Sequence, residues 1–331
     1  MTLPRFEYLN PATLSDALSM AGGESAFVAG GTDLFVRMKE RITTPKRVIG
    51  LGNIAGLRST EHLPGGGLRI GAATALTDLA ETLADRPQWR GLGNAIKLTS
   101  SPLLRNAGTV GGNLCQESRC YYYNQPPIFR KRWPLCFKLG GDRCHVIKGS
   151  EVCHAVYSGD LAGPLMAVKA TATIAGPGGM KKIDLGDFFT GSGLRPVRLA
   201  ADEILTEIDI PNPPRSGGFS YQKLRLRDTI DYPLLGISLF LEFDPEAKVR
   251  RCLDARLVLS AAGPTPVVVP EVGQLLSGQV LTENHAAEAG QLVRKMAHPV
   301  ANTASTPRYR REMVEVLTRR AFQQALEQAG K

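Results

Sequence analysis

Apolar positions recur at helical spacing over Thr13–Ala21, where Leu14, Ala17, Leu18 and Ala21 share a face behind Thr13, a residue suited to N-capping. A short strand, Ala26–Ala29, then runs into Gly30-Gly31-Thr32-Asp33. Leu34–Glu40 reads as a helix and Val48–Leu51 as a second buried strand. The first 55 residues thus predict a small β-α-β lobe around a glycine turn. A second lobe opens with a strand at Leu68–Ala72. A helix capped by Thr77 carries Leu79, Ala80 and Leu83, another covers Leu92–Leu98, and a second glycine loop spans Asn106–Asn113. Farther on, the apolar runs Leu165–Val168 and Ala172–Ile174 read as strands, as does the alternating run Ile204–Ile210, which Pro211 ends.

Pro211–Gly218 holds three prolines and two glycines and predicts a linker, because neither regular element continues through it. Strands follow at Phe219–Leu224, Leu234–Phe243 and Ala255–Ala261. An amphipathic helix over Tyr309–Gln328 places Met313, Val316, Leu317, Ala321 and Leu326 at helical spacing. The mixture predicts an α+β chain, and 331 residues exceed one ordinary domain. No apolar run approaches the length of a membrane span, and Met1–Asn10 lacks the basic and apolar regions of a secretory signal. A cytoplasmic location is the expectation.

Charge and cysteine change the picture in one place. Of the net charge of +9, +6 falls between Arg119 and Lys148, where seven basic residues accompany one acid, Asp142. Five of the six cysteines (Cys115, Cys120, Cys136, Cys144 and Cys153) lie within 39 residues, with only Cys252 outside. No pair has CxxC spacing, so a zinc ribbon is poorly matched, and a disulfide framework does not suit a large chain of this type. Buried free thiols, zinc and an iron–sulfur cluster remain open on composition. Four thiolates can hold a [4Fe–4S] cube, and Tyr121, Tyr122, Tyr123, Phe129 and Trp133 could shield it. The same basic, aromatic segment could instead be a nucleic-acid finger.

Glycines between a strand and a helix let backbone amides approach a phosphate, or simply make a tight turn. Neither loop matches GxGxxG or a P-loop. Taken together and in order, Ala29-Gly-Gly-Thr-Asp-Leu, Gly71-Ala-Ala-Thr, Gly108-Thr-Val-Gly-Gly-Asn-Leu and Tyr221-x-Lys223 resemble the FAD-binding subunits of the molybdenum hydroxylases, the xanthine dehydrogenase family. The resemblance covers essentially the whole chain. It implies a two-lobed FAD-binding fold of the vanillyl-alcohol oxidase type, followed by a carbon monoxide dehydrogenase flavoprotein-like α+β domain. The implied boundaries are residues 1–57, 58–213 and 214–331, with an insert at about 115–156.

The resemblance implies that Ala29, Gly30, Gly31, Thr32 and Asp33 hold the FAD diphosphate, faced by Thr109, Gly112 and Asn113 of the second lobe. Asp160 matches a contact to the ribose or ribityl part, although it could equally cap a helix. Leu205 and Lys223 match positions beside the flavin, although Lys223 could be a solvated strand lysine. No flavin-linking His or Cys is recognisable, so the FAD is expected to be non-covalent. The cysteine insert resembles that of the 4-hydroxybenzoyl-CoA reductase medium subunit, which implies Cys120, Cys136, Cys144 and Cys153 as cluster ligands and Cys115 as a spare. His145 and His154 would belong to the cluster's surroundings. The implied partners are a molybdopterin-binding large subunit and a small subunit with two [2Fe–2S] clusters, in a heterotrimer or a dimer of heterotrimers, with ferredoxin as an external carrier. No substrate-converting residue is expected on this chain, and neither nucleic acid nor membrane is expected as a partner. An FAD subunit of an aldehyde or xanthine-type dehydrogenase is the alternative.

Overall fold

A computed structural model describes residues 2–84, 86–212, 216–247 and 249–329. The predicted linker and the 213/214 boundary fall partly on residues 213–215, outside the described residues.

Three sheets follow one another along the chain. The first is parallel, with Arg47–Gly50 between Glu7–Leu9 and Ser25–Val28. The helices Leu14–Ser19 and Leu34–Lys39 belong to the same segment, and Thr13 caps the first by accepting from the Asp16 amide. The second sheet has five antiparallel strands in the order Thr60–His62, Leu68–Gly71, Ile204–Ile210, Thr171–Gly176, Gly179–Asp184. Its largest buried cluster joins Leu68, Ile70, Ala172 and Ile208 to helical Leu79, Leu92 and Leu165. The third sheet, also antiparallel, orders Val267–Val268, Cys252–Ser260, Leu235–Phe243 and Gly217–Leu224. The long helix Pro307–Ala329 packs Val314, Leu317, Ala321 and Ala325 onto it.

One expected strand is a helix. Leu165–Val168 belongs largely to Ala162–Ala167, all six of whose residues are buried. An apolar run buried on every side carries no periodicity to separate helix from strand. Thr77 also differs from expectation. Ala75 is the N-cap of Leu76–Thr82, and the Thr77 hydroxyl donates to Asn106 in the second glycine loop at 2.7 Å. Among the described residues no helix is long and apolar enough to cross a membrane.

Candidate functional site

The two glycine loops meet. A Cβ on Gly30 would lie 1.8 Å from the Ala107 carbonyl oxygen, so this position tolerates only hydrogen where the lobes touch. Gly31 turns the chain at φ +71° towards Leu34–Lys39. In the second loop, Thr109 caps Val110–Leu114 by accepting from the Gly112 amide at 3.0 Å. Gly111 packs on Ala72, whereas Gly112 is exposed, with only the Thr109 hydroxyl near its missing Cβ.

A cleft runs between the loops. Thr32 and Asp33 of the first loop line it together with Gly108, Thr109, Gly112 and Asn113 of the second, and buried Asp160 is part of the lining. A second, apolar pocket takes in Ala29, Leu57, Gly111, Gly112 and Leu205. Gly112 lines both, so an extended ligand could pass from one to the other across the glycine loops. Leu205 therefore stands with Ala29 in the apolar pocket and not beside Asp160. Gly30, Gly31 and Lys223 line neither space; they shape or support the walls.

Asp160 is buried and caps no helix. It accepts from the Tyr221 hydroxyl at 2.8 Å and pairs with Lys223 at 2.9 Å. Lys223, with no side-chain exposure, also donates to the Leu98 carbonyl at 2.9 Å. Burial pushes Asp160 up and Lys223 down, and each charge opposes the other's shift. Lys223 is thus a buried counter-ion behind the cleft wall.

Sequence reasoning missed the wall contributed from beyond the linker. Ile230, Asp231 and Tyr232, between two strands of the third sheet, line the cleft beside Ser100. Ser100 and Ile230 both have positive φ, 52° and 67°, and the Ile230 amide donates to the Ser100 carbonyl at 3.1 Å. A β-branched residue at such a φ is strained. Nothing local to either residue announces the pairing, which is tertiary.

Asp33 does not cap its helix. It pairs with Arg37 and with Arg119, whose guanidinium stacks 4.5 Å from the centre of the Tyr232 ring. Arg119 precedes Cys120, so the cleft and the cysteine segment share a wall.

Cys120, Cys136, Cys144 and Cys153 line one pocket, together with Tyr122, Tyr123 and other residues of the insert. Cys115 lies elsewhere, in the apolar pocket beside Gly112. Its residue surface is partly open to that pocket, yet burial pushes the thiol up to about 12. Burial pushes Cys120 up to about 11 and raises Cys153, while backbone amide contacts at Tyr122 and Ala155 oppose these shifts. Among the described residues no three of His, Cys, Asp or Glu are grouped to hold a metal ion, although four thiols share this wall. Tyr122, Trp133 and His145 pack together, with ring centres 5.1–5.8 Å apart. His145 Nε2 is 2.8 Å from the Pro134 carbonyl and His154 Nε2 is 2.8 Å from the Ser150 hydroxyl, so each histidine has a partner within the loop.

The basic cluster is smaller than its count suggests. Arg119 is paired with Asp33, and Lys138 is bonded to Glu117 and the Gly193 and Leu194 carbonyls. Arg130 donates to the Glu40 and Arg41 carbonyls. Only Lys131, Arg132, Arg143 and Lys148 of the seven are exposed.

Residues 4–213 match the family described as FAD binding domain in molybdopterin dehydrogenase, and residues 219–325 match the CO dehydrogenase flavoprotein C-terminal domain. The chain belongs to this family. It is an FAD-binding subunit of the molybdenum hydroxylase type, and its homologues are subunits of molybdenum-containing oxidoreductases. It is 34% identical over 232 residues to the aldehyde oxidoreductase FAD-binding subunit PaoB of Escherichia coli K12, covering 67% of this chain and 72% of that protein. Against the xanthine dehydrogenase FAD-binding subunit of Escherichia coli O157:H7 the identity is 24% over 326 residues, covering 98% and 97%. The crystal structure of Cu,Mo-CO dehydrogenase in its cyanide-inactivated form superposes with a TM-score of 0.80 at 24% identity, covering 99% of this chain and all of that one. The fold is thus an FAD-binding domain joined to a CO dehydrogenase flavoprotein-like α+β domain.

Proposed function

We propose that this molybdenum hydroxylase FAD subunit carries a [4Fe–4S] cluster beside its flavin and relays electrons between an external carrier and its partner subunits. The observation that carries the reading is the one pocket lined by Cys120, Cys136, Cys144 and Cys153, with Cys115 apart from it. A cube sets its thiolates farther apart than a single ion does, so the reading needs a shared pocket rather than a tight tetrahedron. For FAD, the cleft offers the unobstructed face of Gly112, the Thr32 and Thr109 hydroxyls, and the apolar pocket of Ala29 and Leu205 for a ring.

Bound there, FAD would exchange electrons in pairs and the cluster one at a time. The chain's own part is to hold and insulate. The glycine loops would admit the diphosphate, with Asp33 held aside by Arg119 and Arg37. Asp160, kept in place by Lys223 and Tyr221, would accept a hydroxyl of the ribityl or ribose part. Tyr122, Trp133 and His145 would keep water from the cysteines. Substrate chemistry would lie on a molybdopterin-binding large subunit, reached through a small subunit with two [2Fe–2S] clusters, in a heterotrimer or its dimer.

The form of the insert favours a 4-hydroxybenzoyl-CoA reductase-like complex fed by ferredoxin. The 34% identity to an aldehyde oxidoreductase subunit favours a second reading, an aldehyde-oxidising complex. Dye-linked oxidation of an aryl aldehyde by the copurified complex, set against reduction of 4-hydroxybenzoyl-CoA by a low-potential donor, separates them. Lys131 and Arg132, which precede exposed Trp133, and Lys148 of the same insert are all exposed and offer the charge that an acidic carrier would meet. Changing these three to Glu should slow electron transfer with ferredoxin at low salt and weaken or reverse its salt dependence; an unchanged rate removes the docking role. For the cluster, Cys115→Ser should keep about four iron atoms per chain and Cys136→Ser should lose them. Loss of iron in the first variant with retention in the second overturns the ligand set.

A further inference from the structure

The two ends of the cysteine insert enter as paired strands. The amides of Arg119 and Val156 exchange hydrogen bonds of 2.6 and 2.7 Å, an antiparallel bridge at the base of the loop. Immediately above it the strands must part, because Cys120 on one and Cys153 on the other both face the pocket. Direct pairing stops there, and one residue from the far end of the chain spans the gap. The Asn302 carbonyl accepts from the Tyr121 amide at 3.0 Å, next to Cys120. Its side-chain amide donates to the His154 carbonyl, next to Cys153. Asn302 is only 3% exposed.

The bridging residue is itself held. Its amide donates to the Val300 carbonyl at 2.8 Å, and that carbonyl also accepts from Arg310 at 3.1 Å. Arg310 is buried, and among the described residues it has no carboxylate partner. It binds the Leu234 and Ala261 carbonyls as well, at 3.0 and 2.8 Å, so the 298–306 loop is clamped to the third sheet. A charged donor with three carbonyl acceptors is a strong and rigid anchor.

We propose that Asn302 is a positioning residue for the cluster, setting the separation of the Cys120 and Cys153 strands from the carboxy-terminal domain. The proposal rests on the cluster reading above. It explains why a side chain some 150 residues from the insert has a built place between its two strands. It also makes cluster retention a property of both domains.

The test uses the purified full-length chain, in wild type, Asn302→Ala and Asn302→Leu. Neither variant can donate to the His154 carbonyl, while both keep the backbone acceptor for Tyr121. The readouts are FAD content, iron and labile sulfide, the electron paramagnetic resonance line shape of the reduced cluster, and the anaerobic rate of iron removal by a ferrous chelator. Both variants should keep wild-type FAD, give an altered line shape, and lose iron about fivefold faster, the factor equivalent to one net hydrogen bond. A role in packing alone predicts that Asn302→Leu, which nearly keeps the volume and adds no charge, behaves as wild type; that result overturns the proposal. So does loss of FAD together with iron, which would mark a general folding defect. A wild-type chain that lacks iron and sulfide overturns the cluster reading and this inference together. A wild-type cluster whose release rate neither change alters overturns the inference alone.

Discussion

Replacing Gly30 and Gly112 separately by alanine should split stability from cofactor binding. At Gly30 the new methyl would stand 1.8 Å from the Ala107 carbonyl oxygen, and 2.6 Å from its carbon. A carbon–oxygen contact needs about 3.3 Å, so the two loops must part by about 1.5 Å. Both atoms are backbone, and overpacking of this kind costs about 1–3 kcal/mol. At Gly112 the only neighbour is the Thr109 hydroxyl at 2.9 Å. Alanine gains up to about 1 kcal/mol over glycine inside a helix. Weakening the Thr109 cap costs about as much. The net change in the apo chain should therefore be close to zero. The methyl nevertheless occupies the cleft where a phosphate oxygen would approach. Losing one hydrogen bond to a charged group costs about 1.5–3 kcal/mol, or roughly 10- to 150-fold in Kd. Thermal unfolding of the apo chains and titration with FAD, followed by flavin fluorescence, measure the two effects. Gly30→Ala should lower Tm and impair binding, whereas Gly112→Ala should impair binding alone. Wild-type affinity in Gly112→Ala, or a Tm as low as that of Gly30→Ala, would rule out this division between the two glycines.

Two further predictions concern charge. Lys223→Met leaves Asp160 buried without its counter-ion and should cost about 3–5 kcal/mol in urea unfolding. Adding Asp160→Asn should recover most of that loss; no recovery would show that the lysine acts through its packing. Asp209 faces Arg69 across the second sheet and takes two hydrogen bonds of 2.9 Å from it. The Arg69 hydrogen bond, aided by Lys182, holds the Asp209 carboxyl below its usual range against the effect of burial. The resulting stability is present above the unfolded carboxylate value of about 3.9 and is lost as pH falls below it. Asp209→Asn should flatten the fall in urea midpoint below about pH 4, and an unchanged acid limb would contradict the assignment.

The elements legible in the sequence were those with local causes. Thr13 heads its helix because a hydroxyl before an apolar periodic run satisfies a free amide. The glycine loops stood out because a side chain at Gly30 or Gly111 has no room. The helix Ala162–Ala167 was illegible as a helix because it has no polar face. At the site, the division of labour among the cysteines could not be read from gaps along the chain. Cys115 is nearer in sequence to Cys120 than any other ligand candidate is, yet it turns into the apolar pocket. The run of basic residues likewise gave no sign that Arg119, Arg130 and Lys138 are used internally. Tyr232 and Asn302 were missed because each acts on a segment more than 100 residues away.

On this reading one chain carries two redox centres of different kinds. Anaerobic reductive titration of the purified chain, followed through the flavin and iron–sulfur bands, tests it most directly. Uptake of about three electrons per chain is expected, two at FAD and one at a [4Fe–4S] cluster. An end point at about two electrons, with only flavin bleaching, would contradict the cluster.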